Sequence, residues 1–145
     1  MTSVFGAAPR GGVTGAGPCP CGSGRPYAGC CGPLLSGDDP AGTAEALMRS
    51  RYTAYLLGDV GHLVRTWHPR TRPEDLELDP RTTWTGLTVL RTERGGPGDG
   101  DGVVEFVARW REPSARGTDR TGELHEVSRF TRRAGRWVYV DGDLT

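Results

Sequence analysis

The residues best suited to chemistry are four cysteines, Cys19, Cys21, Cys30 and Cys31, which fall within thirteen positions of the chain. The sequence has no other cysteine. Zinc prefers a tetrahedron of four nitrogen or sulfur donors, and a site closed by four thiolates is structural because it leaves no position for a substrate. The glycines that follow the first pair permit the positive-φ turns with which a chain folds around an ion. The spacing therefore predicts a structural zinc site with these four ligands.

Disulfide bonds are the alternative use of the same cysteines. A bond between the adjacent Cys30 and Cys31 would close a strained ring, whereas a crossed pair such as Cys19 with Cys30 is feasible and typical of small secreted domains. The first twelve residues show neither the basic nor the apolar region of a signal peptide. We therefore expect a cytoplasmic protein, in which reduced thiols are available to zinc.

The segment that holds the cysteines, residues 19–32, reads Cys-Pro-Cys-Gly-Ser-Gly-Arg-Pro-Tyr-Ala-Gly-Cys-Cys-Gly. It resembles the SEC-C zinc motif, named for its place at the C-terminus of the SecA translocation motor, and Tyr27 stands at the aromatic position of that motif. The resemblance implies a zinc-binding knuckle. Because the motif is a docking element in the motor, it also implies a protein or ribosomal partner, which we expect to contact Tyr27, Leu34 and Leu35.

The composition indicates a small protein in which glycine and proline are unevenly distributed along the chain. Its 145 residues include 18 acidic side chains and 18 basic ones, and every basic one is arginine. A neutral chain disfavours broad, non-specific binding to nucleic acid, because such binding depends on neutralising phosphates. No apolar run reaches the roughly 18 residues of a membrane span, so we expect a soluble protein. The distribution of glycine and proline predicts a disordered tail over 1–17, a zinc knuckle over 18–37, a linker over 38–42 and one globular domain over 43–145.

Two helices are predicted at the start of the globular domain. Thr43 can cap a helix that runs through Leu57, since apolar residues recur there at helical spacing, and Gly58 suits the position after its end. Asp59 can cap a second helix, which Pro69 would end. The short connection predicts that the two helices pack as a hairpin.

Beyond these helices the apolar period changes from 3.6 residues to 2, as in half-buried strands. A tight turn is predicted at Ala134 and Gly135, and flexible loops separate the other strands. Helices followed by strands are typical of an α+β fold, with the helices on one face of an antiparallel meander. The predicted strands are Thr83–Glu93, Val103–Glu112, Glu123–Arg132 and Arg136–Asp141.

The same region resembles the YchJ family in four places, Leu47–Tyr55, Leu63–Pro69, Trp84–Val89 and Val138–Gly142. That family joins an N-terminal SEC-C motif to a nuclear-transport-factor-2-like domain. The resemblance extends from residue 18 to residue 142. It implies a cystatin-like or nuclear-transport-factor-2-like cone, in which two helices pack inside a curved four-strand antiparallel meander.

Such a cone encloses a cavity, which relatives of the fold use for ligand binding or acid–base chemistry. We expect Arg51, Tyr55 and His68 to be its polar groups. Because an unpaired buried charge is costly, Arg51 is predicted to form a buried salt bridge with a sheet carboxylate, Glu105 or Glu126. His68 can instead interact with a helix end. Further polar candidates are Arg49, Tyr52, Asp59, His62 and His125, of which Asp59 is predicted to be a cap and His62 to face solvent.

These features favour a zinc-binding, non-enzymatic adaptor whose knuckle docks a protein or ribosomal partner. The alternative is a small-molecule-binding protein or enzyme, of the isomerase, dehydratase or hydrolase type, that uses the cone cavity. A further alternative is RNA binding by the knuckle and the arginines at 129, 132, 133 and 136. The four tryptophans are expected in the core, and a homodimer through the sheet is a further expectation.

Overall fold

The computed structural model describes residues 13–145 of the chain. The predicted disordered tail therefore falls mostly on residues that lie outside the described part, and there it stays a prediction. Within the described part, the carbonyl oxygens of Gly15 and Gly17 accept hydrogen bonds from the backbone N–H groups of Ala28 and Tyr27, at 3.0 and 2.9 Å. After a 3-10 turn at Tyr27–Gly29, the elements are α1 (Cys31–Ser36), α2 (Ala44–Leu57), α3 (Val60–Arg65), β1 (Thr83–Arg94), β2 (Asp101–Glu112), β3 (Arg120–Arg133) and β4 (Arg136–Leu144).

The long helix α2 begins and ends as its sequence predicts. The Thr43 hydroxyl accepts a hydrogen bond from the N–H of Ala46 at 3.0 Å, which satisfies one of the free donors at the helix start. Gly58 ends the helix with a φ of 78°, a left-handed conformation that costs glycine little. The inward face carries the buried Leu47, Met48 and Tyr52. This face packs against β1, β2 and β4.

The next helix, α3, is shorter than its sequence pattern indicates. Asp59 caps it as predicted, accepting from the N–H of His62 at 3.0 Å. The predicted extension to Pro69 is wrong, because the backbone after Arg65 pairs with β4 instead. Tyr139 donates its N–H to the Thr66 carbonyl and accepts from the N–H of His68, both at 2.8 Å. This pairing ties the end of the helical hairpin to the sheet.

The four strands form one antiparallel sheet in the order β1-β2-β3-β4, which confirms the predicted meander. The predicted turn between β3 and β4 is also present, with φ values of 53° at Ala134 and 81° at Gly135. Register shifts occur in β1 and between β3 and β4. Such irregularities increase strand twist and bend a sheet, so the sheet curves around α2.

The knuckle and the cone share one core. All four cysteines and Leu35 of α1 belong to the same buried cluster as Leu47 of α2 and Leu63 of α3. The core of the cone therefore includes the cysteines of the knuckle. Among residues 13–145, no helix is both long and apolar enough to cross a membrane.

Candidate functional site

The four cysteines meet at one buried point. Their Sγ atoms all lie within 4.8 Å of one another, and every one of these thiols is free of a disulfide bond. The Sγ atoms of Cys21 and Cys30 are 3.6 Å apart. A tetrahedral site with metal–sulfur bonds of about 2.3 Å has an edge of about 3.8 Å, so the cluster fits an ion of that kind. The crossed disulfide pairing left open by the sequence is not formed.

Local backbone geometry brings these sulfurs together. Gly22 and Gly24 take positive φ values of 79° and 86°, as the sequence predicts, and they turn the chain directly after Cys21. The turn is closed by the N–H of Cys19, which donates to the Arg25 carbonyl at 2.9 Å. Helix α1 then begins at Cys31, so the second cysteine pair stands where a loop passes into a helix.

The sulfur atoms also interact with one another electrostatically. Hydrogen bonding from the thiols of Cys19 and Cys31 lowers the pKa of Cys21, since it favours the thiolate there. Hydrogen bonds with Cys19 and Cys21, followed by burial, raise the pKa of Cys31. One thiolate is thus favoured at the expense of its neighbours. A cation at the centre would allow all four to deprotonate, which is why metal binding releases protons.

Three contacts outside the cluster hold the knuckle on the cone. Arg49 of α2 donates to the Cys21 carbonyl at 2.7 Å, and Thr53 one turn later donates its hydroxyl to Cys31 Sγ at 3.4 Å. Arg65 of α3 donates to the Leu35 carbonyl at 2.7 Å. Arg49 also pairs with Glu45, one turn earlier on the same helix. Two helices of the cone therefore position the cysteine loops.

A second candidate site is a cavity of about 210 Å³ between α2 and the sheet. Its wall is mostly apolar and aromatic. Tyr52 and Tyr55 both contact the Trp84 ring edge-on, with ring centroids 6.4 Å apart in each pair. The other apolar or aromatic lining residues are Met48, Trp67, Phe106, Ala108, Leu124, Phe130 and Tyr139.

Arg51 forms a charged part of this wall. Its side chain is 5% exposed, and its Nη1 donates to the Leu63 carbonyl at 2.9 Å and to Thr66 Oγ1 at 2.8 Å. Its guanidinium carbon lies 4.7 and 4.6 Å from the ring centroids of Trp67 and Tyr139, a stacking that stabilises a buried cation. Burial lowers the pKa of Arg51 to about 10, so it stays charged at neutral pH.

Glu126 supplies the opposite charge. Its Oε2 accepts hydrogen bonds from the hydroxyl of Ser128 at 2.7 Å and from that of Tyr139 at 2.8 Å. Burial, and then the negative charge of Glu126, raise the pKa of Tyr139, which keeps the phenol protonated as a donor. Within residues 13–145 the other carboxylate oxygen, Oε1, has no hydrogen-bond partner.

The chain from residue 43 to residue 142 matches the family model described as YchJ, middle NTF2-like domain. The chain belongs to the YchJ family. Curated relatives agree: a UPF0225 protein of Streptomyces coelicolor is 51% identical over 127 residues, covering 88% of this chain and 95% of the relative. A UPF0225 protein of Chromobacterium violaceum is 52% identical over 128 residues, covering 86% and 90%.

Two solved structures are similar to this member of the YchJ family. One is a SEC-C motif containing protein from Rhodopseudomonas palustris, with a TM-score of 0.73, 36% identity and coverage of 89% of this chain and 99% of that one. The other is a SEC-C motif containing protein from Psychrobacter arcticus, with a TM-score of 0.67, 26% identity and coverage of 90% and 84%. The N-terminal cysteine cluster of this YchJ-family chain is accordingly a metal-binding SEC-C knuckle on a nuclear-transport-factor-2-like domain.

The structure brings two of the three predicted cavity residues of this YchJ-family domain together and leaves the third apart. Arg51 and Tyr55 line the cavity, but His68 does not, and its Nδ1 accepts from the backbone N–H of Arg70. The predicted salt bridge of Arg51 is wrong. Glu105 instead pairs with Arg91 and with His125, at 2.7 and 2.6 Å.

The prediction for His62 is also wrong, because this side chain is 2% exposed. Its Nε2 lies 2.9 Å from the Ser50 hydroxyl, beneath α2. Of the four tryptophans, Trp137 is buried and Trp84 packs partly buried against the core, while Trp67 is partly buried. Trp110 is partly exposed, and the Arg120 guanidinium covers its ring at 5.8 Å.

The sequence pattern suggested Glu126 only as a salt-bridge partner and not as a cavity residue. The available signal was its position in β3, where alternate residues point inward and Glu126 stands between Leu124 and Ser128. A carboxylate at an inward position breaks the apolar pattern, as functional sites often do. The family's Val-Tyr-Val-Asp-Gly segment contributes too, because a Cβ at Gly142 would overlap the Glu126 carboxylate.

Proposed function

We propose that this protein binds a small molecule in the cone cavity and that its SEC-C knuckle holds a structural zinc ion. The observation that carries the proposal is Glu126, a carboxylate positioned by two hydroxyl donors in a mostly apolar, aromatic cavity. A few convergent polar groups in an apolar concavity are typical of a ligand site. Its place in the cavity wall, and the absence of an ion pair to it among residues 13–145, both suit a group whose partner is a ligand.

Cavity size limits the ligand to about one ring. An apolar cavity of about 150 Å³ holds benzene, and this cavity measures about 210 Å³. The aromatic wall favours an apolar body. The free Oε1 of Glu126 favours a hydroxyl or amine donor at one end, since a carboxylate oxygen accepts hydrogen bonds and this one has no partner among residues 13–145.

The charges favour a ligand that is neutral overall. Arg51 and Glu126 both line the cavity and have opposite signs, so an ion of either sign would leave one of them opposed by a like charge. Arg51 is already held by two acceptors and two rings, which leaves Glu126 as the principal binding group. The class we propose is therefore a ring-sized alcohol, phenol or neutral amine.

Zinc is the proposed ion because four thiolates in a tetrahedral arrangement select a soft or borderline-soft metal. Elemental analysis of protein purified without chelator should find about one zinc per chain. A zinc content near zero would contradict this part of the proposal. The cysteines close all four positions, so the ion would stabilise the knuckle rather than take part in a reaction.

The adaptor role inferred from the SEC-C resemblance stays a prediction, as do its protein or ribosomal partner and the cytoplasmic location. The packing of the knuckle supports this adaptor role less than the cavity geometry supports ligand binding. Leu35, one of its three expected contact residues, is 8% exposed, and the Tyr27 ring packs against Gly32 of α1. Only Leu34 and part of Tyr27 remain for a partner.

Nuclear magnetic resonance of the zinc-loaded protein tests ligand binding with two probes, phenol and toluene, which share a ring and differ in the donor. Phenol at millimolar concentration should shift the signals of residues that line the cavity, and toluene should bind more weakly. Glu126→Gln should weaken phenol binding about tenfold, the equivalent of ~1.4 kcal/mol for one charge-assisted hydrogen bond. Glu123→Gln is the matched control, because Glu123 is exposed on the same strand.

Two further variants separate a loss of binding from a loss of fold. Ala108→Leu should fill the cavity and abolish binding of both probes, since Ala108 lines it. Gly142→Ala should weaken phenol binding and leave toluene binding intact, because the new methyl group displaces only the flexible end of Glu126. Equal binding of both probes by the wild type and all these variants would contradict the proposal.

A further inference from the structure

A groove of about 450 Å³ lies where the knuckle and the cone meet. One wall comes from α1 and the segment after it, and the other from α3 and the β3–β4 turn. The lower part is apolar and includes Leu47, Trp67, Trp137 and Val138. This is a different surface from the cone cavity, although Trp67 contributes to both.

The groove is strongly basic, although the whole chain is neutral. Four arginines line it, at positions 65, 72, 133 and 136, against a single acidic residue, Asp39. A groove lined by charges of one sign concentrates ligands of the opposite sign.

Several arginines of the sheet are paired with carboxylates, whereas those of the groove are not. On the sheet, Arg91 pairs with Glu105, Arg94 with Asp101, and Arg129 with both Asp141 and Asp143. In the part of the chain that the structure describes, none of the four groove arginines has an ion pair.

The groove arginines differ in how they are held. Arg65 donates to the Leu35 carbonyl and lies 3.3 Å from His62 Nδ1, and Arg72 donates to the Val64 carbonyl at 3.4 Å. The side chains of Arg133 and Arg136 make no hydrogen bond within residues 13–145. A guanidinium has five donors in a planar fork that matches a carboxylate, so most of this donor capacity is unused.

We propose that this groove binds an acidic segment of a partner protein, in which glutamate or aspartate alternates with an apolar residue. Carboxylates would pair with the arginine forks at the rim, and the apolar side chain would lie on the floor beside Trp67 and Val138. Both kinds of contact are needed to cover a groove with a basic rim and an apolar floor. Binding here would use the knuckle and the cone together.

The alternative occupant, RNA, requires a longer track of free cations. The two hairpin arginines next to the groove are occupied: Arg129 by the aspartates of β4, and Arg132 by the carbonyls of Asp99 and Pro97. Arg132 also covers the Trp137 ring at 4.4 Å, which leaves that ring unavailable for base stacking. The observations therefore favour carboxylates over a phosphate backbone.

Fluorescence anisotropy on the zinc-loaded full chain tests this proposal with a labelled peptide in which glutamate alternates with leucine. The wild type should bind it with a Kd below about 1 mM, the weak end of specific recognition, and added salt should weaken binding. The double variant Arg133→Ser, Arg136→Ser should bind at least tenfold more weakly. The double variant Arg81→Ser, Arg116→Ser removes the same charge outside the groove and should stay within twofold of the wild type.

Two altered peptides complete the experiment. Replacing glutamate by lysine should abolish binding, and replacing leucine by serine should weaken it several-fold. The proposal is overturned if the wild type does not bind the acidic peptide, or if the two double variants bind it equally. It is also overturned if a labelled single-stranded RNA binds in the groove in preference to the peptide, or if the chain forms a dimer that the groove variant abolishes.

Discussion

At the scale of single residues, Arg51 is a buried cation without a carboxylate beside it. A buried ion that loses its solvation must be compensated by hydrogen bonds and by nearby electron-rich groups. Here the Leu63 carbonyl of α3 and the hydroxyl of Thr66, which follows α3, accept hydrogen bonds from the guanidinium. The faces of Trp67 and Tyr139 supply the rest of the compensation. The side chain thus fastens α2 to α3 and to β4 while it forms one wall of the cavity.

His62 is a second buried ionisable residue, and the prediction that it faces solvent is wrong. Ser50 donates its hydroxyl to the Leu47 carbonyl at 2.7 Å, so its oxygen accepts from Nε2–H of His62, and this assigns the neutral tautomer. Burial, reinforced by the positive charge of Arg65, lowers the pKa of His62 from about 6.5 to about 4. The imidazole is therefore neutral in the folded protein at physiological pH.

This shift predicts a loss of stability in acid. Between pH values of about 6.5 and 4 the unfolded chain binds a proton at His62 and the folded chain does not, so the free energy of unfolding falls as the pH is lowered. By pH 4 the loss from this group should be about 2 to 3 kcal/mol. Urea unfolding at a series of pH values measures it.

The control separates this effect from metal release, which acid also causes. His62→Gln should lose stability at neutral pH and should show a shallower decline between pH 6.5 and 4 than the wild type. His68→Gln keeps the buried imidazole and should keep the wild-type decline. Equal slopes for the wild type and the His62 variant would contradict the prediction.

At the scale of elements, the sequence pattern predicts each strand to within a few residues. The alternation in β2 is confirmed by the buried Val104, Phe106 and Ala108. The helix caps at Thr43 and Asp59 are confirmed for a local reason, since a cap depends on a side chain and a donor three residues later. The early end of α3 was not predictable in this way, because it depends on pairing with Tyr139, more than seventy residues further along the chain.

The turn between β3 and β4 permits a stabilising substitution. Both turn residues have positive φ, as in a type I′ turn, and a non-glycine residue such as Ala134 pays a steric cost there. Ala134→Asn should raise the free energy of unfolding by about 0.5 to 1 kcal/mol, because asparagine tolerates this conformation better. Urea unfolding checks the value.

The reverse change tests the same geometry. Gly135→Ala should destabilise the protein by about 1 kcal/mol, since φ is 81° at this position. An asparagine variant that is less stable than the wild type would contradict this account of the turn.

At the scale of the whole molecule, the packing of the knuckle on the cone predicts that the two unfold as one cooperative unit. The four cysteines lie in the common core, and Arg49, Thr53 and Arg65 bond the knuckle from the cone side. Removing the metal should therefore expose part of the core of the cone as well as unfold the knuckle.

Chelation in the presence of a reductant tests this cooperativity. We expect the near-ultraviolet circular dichroism of the tryptophans to weaken and the midpoint of thermal unfolding to fall by at least several degrees, because metal binding to the folded state alone stabilises it. The variant Cys31→Ser should reproduce the effect without chelator. A cone whose thermal midpoint and tryptophan signals are unchanged by chelation would contradict the shared core.

The sequence by itself determined the cysteine cluster, the helix caps, the strands and the family, because each of these depends on residues close together in the chain or on a short, specific pattern. Only the tertiary structure placed Glu126 beside Tyr139 in the cavity, buried His62 under Ser50, and left the groove arginines without carboxylates. These outcomes depend on which strand packs against which helix and on which charged residues, distant in the chain, lie close together in the fold. A neutral composition fixes the sum of the charges, and the fold alone decides where they remain unpaired.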